Sequence, residues 1–539
     1  MDKLKIRAIG YLYLLITFCC LLASAGSTAE IEDTVTGLSG PLIDSIHIEN
    51  GEIFAEDSSK YDLWIFRLAN RLHIKTKKYV IRRELLLKEG DPFSRRLADE
   101  TERNLRALPF LWDARVNLRQ SPKGKNVLEV STADSWTLLG GISISRTAGE
   151  TVYHIRGEEQ NLLGTGQYLS LHYYIRDTLE DYAQFTFLER RLFSSRFYFQ
   201  VCRDGNPEIG MTSLTLGKPF YSLDTRFSAR FSYIDWDRRE DYYDRGIIIA
   251  QDKTQGQQLS MYGGYRFGSY NDKLQIGAEI FYKDISIVEK KASVSHPDFP
   301  FPEDSLYYAV IPELSIHNYQ YVQTTHIDKF RRVEDILLLN GARLRFGRAF
   351  NDDNGKIYDL AELRINYAKF FKNNLLLLEI TRNYWLNGSR DFRNKANISI
   401  RYYNNGISWL TPMLGIRYDE DLREGNVASL YLGENNGLRG YPKNYSTGEK
   451  RIAGNIECRI FPGINILSAD LGAVQFFDFG KSWKYDSNLR FRDLLWSVGI
   501  GLRIGVERVS SAKMMRFDLA YAGKLKDWQI SFGLGQYVK

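Results

Sequence analysis

From Trp136 to the C-terminus the chain alternates, and this single property limits its folds more than any other. Leu169, Leu171, Tyr173 and Ile175 oppose Ser170, His172, Tyr174 and Arg176. Phe227, Ala229, Phe231 and Tyr233 oppose Arg226, Ser228, Arg230 and Ser232. Ala361, Leu363, Ile365 and Tyr367 oppose Glu362, Arg364 and Asn366. Trp496, Val498, Ile500, Leu502 and Ile504 oppose Ser497, Gly499, Gly501, Arg503 and Gly505, and Trp528, Ile530, Phe532 and Leu534 oppose Gln529, Ser531, Gly533 and Gly535. A period of two is the period of a β-strand, whose side chains point to opposite faces in turn. A soluble sandwich alternates too. About 400 residues of it in one run, behind an apolar leader, favour instead a closed antiparallel barrel in a membrane, apolar outside and polar inside.

The leader has Lys3, Lys5 and Arg7 ahead of an apolar run from Ile9 to Leu22, then the small-x-small site Ala23-Ser24-Ala25. That order reads as a secretory signal peptide over residues 1–25 rather than a spanning helix, followed by a linker over 26–40. Cys19 and Cys20 fall inside the apolar run, and Phe18 before Cys19 is too large for a lipoprotein site. The mature chain keeps Cys202 and Cys458, both in strand-like segments and read as unpaired. The remainder has no apolar run long enough for a spanning helix.

Residues 41–134 have a different texture. Ile43, Ile46 and Ile48 mark a first strand; Tyr61 to Leu72, Tyr79 to Leu87 and about Leu97 to Leu108 show helical spacing, the last with Ser94 as N-cap. Ala114-Val116-Leu118 and Val127 to Val130 mark two more strands, joined through Lys123-Gly124-Lys125-Asn126. The expected unit is a compact α/β domain of order βααββ whose small sheet has an edge open to an added strand. The barrel then takes residues 135–539. Charged stretches such as Asp235 to Tyr243 and Val288 to Leu306 read as its longer outward loops.

Within the alternating region one stretch stands apart: Asn436-Gly437-Leu438-Arg439-Gly440-Tyr441. Gly437 and Gly440 allow positive φ and close backbone approach. Arg439 carries a planar fork of donors that fits a carboxylate. Parity puts Glu457 on the inner face with Asn455 and Arg459, which makes it a candidate partner. Asp478 is a second candidate, although it shares parity with Val474 and Phe476, which look outward-facing. A plain glycine-rich hairpin with a solvated arginine, and Glu457 paired to Arg459 instead, is the competing reading.

These elements together resemble the outer-membrane assembly-factor family, the BamA/TamA-like bacterial surface antigens. The resemblance covers nearly all of the mature chain. Gly437-Leu438-Arg439-Gly440-Tyr441 matches that family's loop motif; Gly454 to Arg459 and Phe476-Phe477-Asp478-Phe479-Gly480 match the two strands that follow, and Gln160 to Gly166 an early barrel turn. The resemblance implies a periplasmic POTRA domain over 41–134, a transmembrane barrel of 16 strands, and a loop folded into its lumen. The alternation itself counts nearer 20 strands. This chain has room for one POTRA domain, fewer than the best-known assembly factors, and its last residues, Gln536 to Lys539, lack the usual terminal aromatic.

The remaining chemistry is sparse. Seven histidines show no metal-ligand spacing, and no CxxC, G-x-S-x-G or phosphate-binding loop is present, so an enzyme, a metal site and a bound cofactor are not expected. Lys+Arg 72 against Asp+Glu 66 leaves a net charge of +6, too balanced for a nucleic-acid partner. The expected function is folding or insertion of β-barrel proteins into the bacterial outer membrane. Expected partners are outer-membrane lipid, unfolded outer-membrane protein clients and periplasmic accessory proteins. A secretion translocator for one exoprotein and a passive porin are the alternatives.

Overall fold

The computed structural model describes residues 40–54, 63–147, 150–177, 180–244, 247–294, 297, 299, 301, 304–353, 355–387, 390–423, 430–506, 508–509 and 514–537. The expected signal peptide and nearly all of the linker lie outside these residues.

Near the N-terminus, β1 (Ser45–Gly51), β2 (Leu111–Gln120) and β3 (Asn126–Asp134) form a sheet in the order β1–β3–β2, with β1 parallel and β2 antiparallel to the central strand. Helices α1 (Trp64–Leu72), α2 (Lys78–Arg82) and α3 (Arg95–Ala107) lie between β1 and β2 in the chain, so the order is βαααββ rather than the expected βααββ. The helical spacing of Tyr79 to Leu87 yields five helical residues, because the chain turns after Arg82 and again at Gly90, where φ is 91°. Ser94 caps α3 by accepting the Leu97 amide at 3.4 Å. Ile48, Val80, Ile81, Leu105, Val116 and Leu128 form part of one apolar core under the sheet.

The rest of the chain is a closed antiparallel barrel. Its wall runs through β4 (Leu138–Thr147), β5 (Glu150–Glu159), β6 (Tyr168–Arg176), β7 (Tyr182–Glu189), β8 (Tyr198–Asp204) and β9 (Ile209–Lys218). It continues through β10 (Phe227–Asp244), β11 (Ile247–Gly268), β12 (Asp272–Ala292), β13 (Ser305–Thr324), β14 (Glu334–Asn351), β15 (Ile357–Phe371), β16 (Asn374–Asn387), β17 (Arg390–Asn404) and β18 (Leu410–Arg423). Strands β19 (Leu430–Leu432) and β20 (Ser446–Gly448) pair with each other outside the wall, in the connection that follows β18. The wall resumes with β21 (Lys450–Ile460), the two-residue β22 (Asn465–Ile466), β23 (Ala469–Trp483), β24 (Leu495–Val506), β25 (Met515–Ala522) and β26 (Asp527–Leu534), and β26 lies next to β4. Leaving aside the short β22, twenty described strands make the wall. That matches the count from alternation and exceeds the sixteen that the resemblance implies.

Alternation becomes two faces. Trp496, Val498, Ile500 and Leu502 are exposed on the outside, whereas Ser497 and Arg503 are buried within. Of the charged stretches expected as loops, the first is strand throughout, and the second is strand only at its two ends, where β12 finishes and β13 begins. Residues 235–243 continue β10, and residues 288–292 continue β12. The ladder persists there because cross-strand polar pairs replace apolar ones: Asp237 meets Lys253 at 3.2 Å, and Asp241 accepts the Gln251 amide at 2.8 Å.

The N-terminal sheet and helices sit against one mouth of the barrel, here called the near mouth. Lys77 N donates to Gly164 O at 3.0 Å and Arg83 Nη2 to Thr165 O at 3.0 Å. Arg191 Nη2 donates to Glu84 Oε2 at 2.5 Å, and Arg106 forks onto Asp335 at 2.8 and 2.9 Å. Glu100 accepts from Leu223 N and from the Tyr270 hydroxyl, both at 2.7 Å.

Candidate functional site

The connection after β18 belongs to the far mouth, yet it folds back inside the barrel. Its β19–β20 hairpin frames a short helical turn at Glu434–Asn436, and the chain then reverses through Gly437 and Gly440, with φ of 115° and 81°. Glycine is needed twice over at these positions. Both backbones lie in the left-handed region, and a Cβ would stand 3.0 Å from the Ala453 Cβ at Gly437 and 3.0 Å from the Ala520 Cβ at Gly440. Leu438 and Tyr441 are wholly buried, packed with Leu432, Ala453, Leu495 and Ala522. The Tyr441 hydroxyl donates to Trp496 O at 3.0 Å and accepts from Lys524 N at 3.2 Å.

This places Arg439 in the lumen at 0% exposure. Its Nε and Nη2 donate to the two oxygens of Asp478, each at 2.7 Å, and its own amide donates to Asp478 Oδ2 at 3.2 Å. Glu457 Oε1 lies 2.9 Å from Nη2 but is not aligned for a hydrogen bond; the aligned partner of Glu457 is Arg459, whose Nε donates at 2.9 Å. Asp518 Oδ2 stands 3.9 Å from Nη1 and accepts from Arg516 Nη1 at 3.2 Å, while Asp518 Oδ1 accepts from Arg503 Nη1 at 2.6 Å. Asn455 Nδ2 donates to Asp478 Oδ1 at 2.7 Å and to Gly437 O at 3.1 Å. The guanidinium is sandwiched between the Phe476 ring at 3.5 Å and the Tyr537 ring at 4.3 Å. Tyr537 also accepts the Gly437 amide at 3.1 Å and donates to Glu434 O.

All five loop residues, Glu457 and Asp478 therefore meet in one cluster. The two competing pairings coexist: the Arg439 fork is on Asp478, and Glu457 hydrogen-bonds Arg459 while remaining in charge contact with Arg439. The outward reading of Val474 and Phe476 is incorrect. Both are buried on the inner face because the loop fills the lumen there and gives them an apolar and cationic surface to pack on. Asp518, Phe476 and Tyr537 were missed as partners. An acid at inward parity on β25 was a usable signal for Asp518. Tyr537 lies beyond Gly535, whose φ of 79° turns the tail out of the strand, so alternation carried no information about it.

A second segment enters from the near mouth. The β13–β14 connection buries Ile327 and Phe330 inside the barrel. Arg459 Nη1 donates to Ile327 O at 2.5 Å, Arg331 pairs with Asp470 at 3.1 Å, and Arg332 Nη2 donates to Arg106 O at 2.6 Å and Leu111 O at 3.0 Å. Ion pairs and hydrogen bonds thus run from Asp478 through Arg439, Glu457 and Arg459 to this turn, and on to α3 and β2. Two cavities of about 380 and 360 Å³ are lined by other residues, and Arg439 itself has no exposed surface, so it serves as a lock on the loop. Chemically the cluster holds a loop in place through ion pairs and hydrogen bonds.

The sequence matches no family model and no curated protein. Among solved structures, the chain is similar to CdiB from Acinetobacter baumannii, at 13% identity and TM-score 0.44 over 92% of this chain and 73% of that one. It is similar to CdiB from Escherichia coli at 12% identity and TM-score 0.42, over 93% and 91%. A third likeness is to BamA from Haemophilus ducreyi lacking POTRA domains 1–3, at 13% identity and TM-score 0.37, over 92% and 83%.

Proposed function

We propose that this chain is a bacterial outer-membrane assembly factor that helps β-barrel proteins fold or insert, with residues 41–134 as a periplasmic POTRA-like domain that receives unfolded chains. The near mouth is then periplasmic and the Arg439 loop comes from the cell exterior. The observation that carries this reading is the uneven height of the wall. Around the junction of β26 with β4 the strands are short: β25 and β26 have 8 residues each, β4 and β5 have 10, β6 has 9, β7 has 8 and β8 has 7, while β11 and β12 have 22 and 21. A tilted transmembrane strand needs roughly 9–11 residues. The low sector stands at or just below that length, with nothing to spare beside the much taller β11 and β12, and a bilayer meeting it is thinner there than along the tall side. Thinned lipid beside a junction weakened by Gly533 on β26 and by Gly140 and Gly141 on β4 is a favourable place to insert new strands. A lumen filled from both mouths argues against a passive porin.

A secretion translocator is the second reading, favoured by a different observation. Side-chain pairs, rather than a strand ladder, hold Arg439 in the lumen, and barrels of 16–18 strands already leave an aqueous channel. Releasing the loop from a wall of twenty strands would open a path.

Depletion separates these readings. An assembly factor predicts a general fall in folded outer-membrane barrels; a translocator predicts retention of one exoprotein with other barrels at normal levels. Unchanged barrels and unchanged secretion would reject both.

A further inference from the structure

We propose that α1 and the tips of two barrel turns form a membrane-interface foot, seated at the headgroup–acyl boundary of the bilayer beside the near mouth. The inference rests on the membrane reading of the barrel, but not on what the barrel does.

Helix α1 has two apolar faces. Phe66 points inward and packs with Ile53 and Phe54. Trp64, Ile65, Leu68 and Leu72 fall within roughly 100° of the helix circumference on another side. They are all exposed, Trp64 by 67%. One exposed apolar residue needs no explanation, but a stripe along a helix does. The sequence gives a reason for lipid rather than protein as the cover: Arg71, Lys77 and Lys78 are exposed around the stripe, and a tryptophan and leucine face flanked by basic residues suits anionic phospholipid headgroups.

The turns supply the continuity. Residues 160–167 and 190–197 are built alike. Leu162 N donates to Gln167 O and Leu192 N to Phe197 O, and Thr165 and Ser195 hydroxyls bond back to the carbonyls of Leu162 and Leu192. Each turn holds an apolar residue at its tip in the left-handed region, Leu163 at φ 52° and Phe193 at φ 51°. That conformation is unfavourable for bulky side chains, and strain repeated at the same point of two turns is a mark of function. Leu163 is 60% exposed and Phe193 93%. Both turns join strands of the low sector, so their tips lie directly below its outward apolar wall. The first also abuts the segment after α1: a Cβ on Gly164 would stand 2.4 Å from Lys75 O and 3.5 Å from the Ile74 side chain. Ile74, itself exposed, thus stands between the stripe and the first tip, and on this proposal the stripe, the tips and the outer wall act as one apolar surface. Its effect would be to hold the N-terminal region against the membrane beside the low sector.

The test uses the full-length protein with its native cysteines replaced by serine, in vesicles of phosphatidylethanolamine and phosphatidylglycerol. Nitroxide labels go on Leu68→Cys, Phe193→Cys and, as a wall control, Leu171→Cys. Collision with oxygen against a water-soluble nickel chelate reads depth. The expected result is a deep position for 171 and about 5–10 Å below the headgroup surface for 68 and 193. Aqueous values at 68 and 193 with a deep value at 171 would overturn the foot while leaving the barrel in its membrane. Aqueous values at all three would overturn the membrane reading beneath it. Labels at 68 and 193 that leave water only when an unfolded barrel polypeptide is added would assign the surface to a protein client instead.

Discussion

Arg459 donates to the backbone carbonyl of Ile327 at 2.5 Å, which ties a side chain on the β21 wall to a connection 132 residues earlier. The same guanidinium holds Glu457, and Glu457 lies against Arg439. One arginine therefore joins the segment entering from the near mouth to the loop entering from the far mouth. In the cluster, Arg439, Arg459, Arg503 and Arg516 face Glu457, Asp478 and Asp518. Arg439 and Asp478, both fully buried, are forked onto each other, so removing either strands the other.

Asp478→Asn should unseat the loop more than Glu457→Gln does. Asp478 takes the whole Arg439 fork and the Asn455 amide, whereas Glu457 makes its aligned bond to Arg459. Stranding one partner of a buried pair typically costs about 3–5 kcal/mol. Arg439→Ala should behave like Asp478→Asn, and Arg439→Lys should be intermediate because an ammonium cannot fork. Protease cleavage within residues 430–450, measured on intact cells, should follow that order. The barrel should still migrate as folded in unheated gels, since its ladder does not use these side chains. Equal protection in all four variants would return the loop to an ordinary hairpin.

Tyr537→Ala should loosen the same loop, and Tyr537→Phe should do so less. The phenylalanine keeps the ring over Arg439 but loses the hydroxyl between Gly437 N and Glu434 O. A hydrogen bond of this kind contributes about 0.5–1.5 kcal/mol. Hydrogen exchange of the Gly437 amide reads it: faster exchange is expected in both variants, and an unchanged rate would remove Tyr537 from the lock.

Gly505→Val should displace Phe330 from the lumen. A Cβ at Gly505 would lie 2.5 Å from Phe330 Cδ2, well inside contact distance. The expected outcome is a rise in single-channel conductance in planar bilayers, with Phe330→Ala showing the same rise. Conductance unchanged from the parent in both variants would mean that the near-mouth segment does not restrict the lumen.

Docking of α3 on the barrel should weaken as pH rises above the ordinary glutamate range. Burial against the near-mouth turns pushes the Glu100 pKa up. A carboxyl raised in the docked state binds more protons there than when free. Its contribution is thus complete below the free value and is lost as pH rises through the docked one. Glu100→Gln should flatten this dependence. The distance between spin labels on α3 and on residue 269 across that pH range reads it, and a parent profile as flat as the variant's would contradict the argument.

Much of this architecture was legible before any coordinates. Alternation pointed to a barrel and to nearer twenty strands than the sixteen of the resemblance, because a wall with an apolar outer face and a polar lumen imposes its chemistry at every second residue. Glycines flanking one arginine marked the loop, since few other sequences allow that backbone. The interior was where alternation misled. Val474 and Phe476 follow an outward pattern in apolarity but an inward one in space, because the loop brings its own packing surface into the lumen. The choice of Asp478 for the Arg439 fork, the part played by Tyr537 and the bridge from Arg459 to Ile327 depend on where distant segments stop inside a closed wall. Local sequence periods carry no information about such distances. Only the closed tertiary structure decides which buried charges come within reach, and the cost of leaving a charge unpaired there is what makes that choice matter.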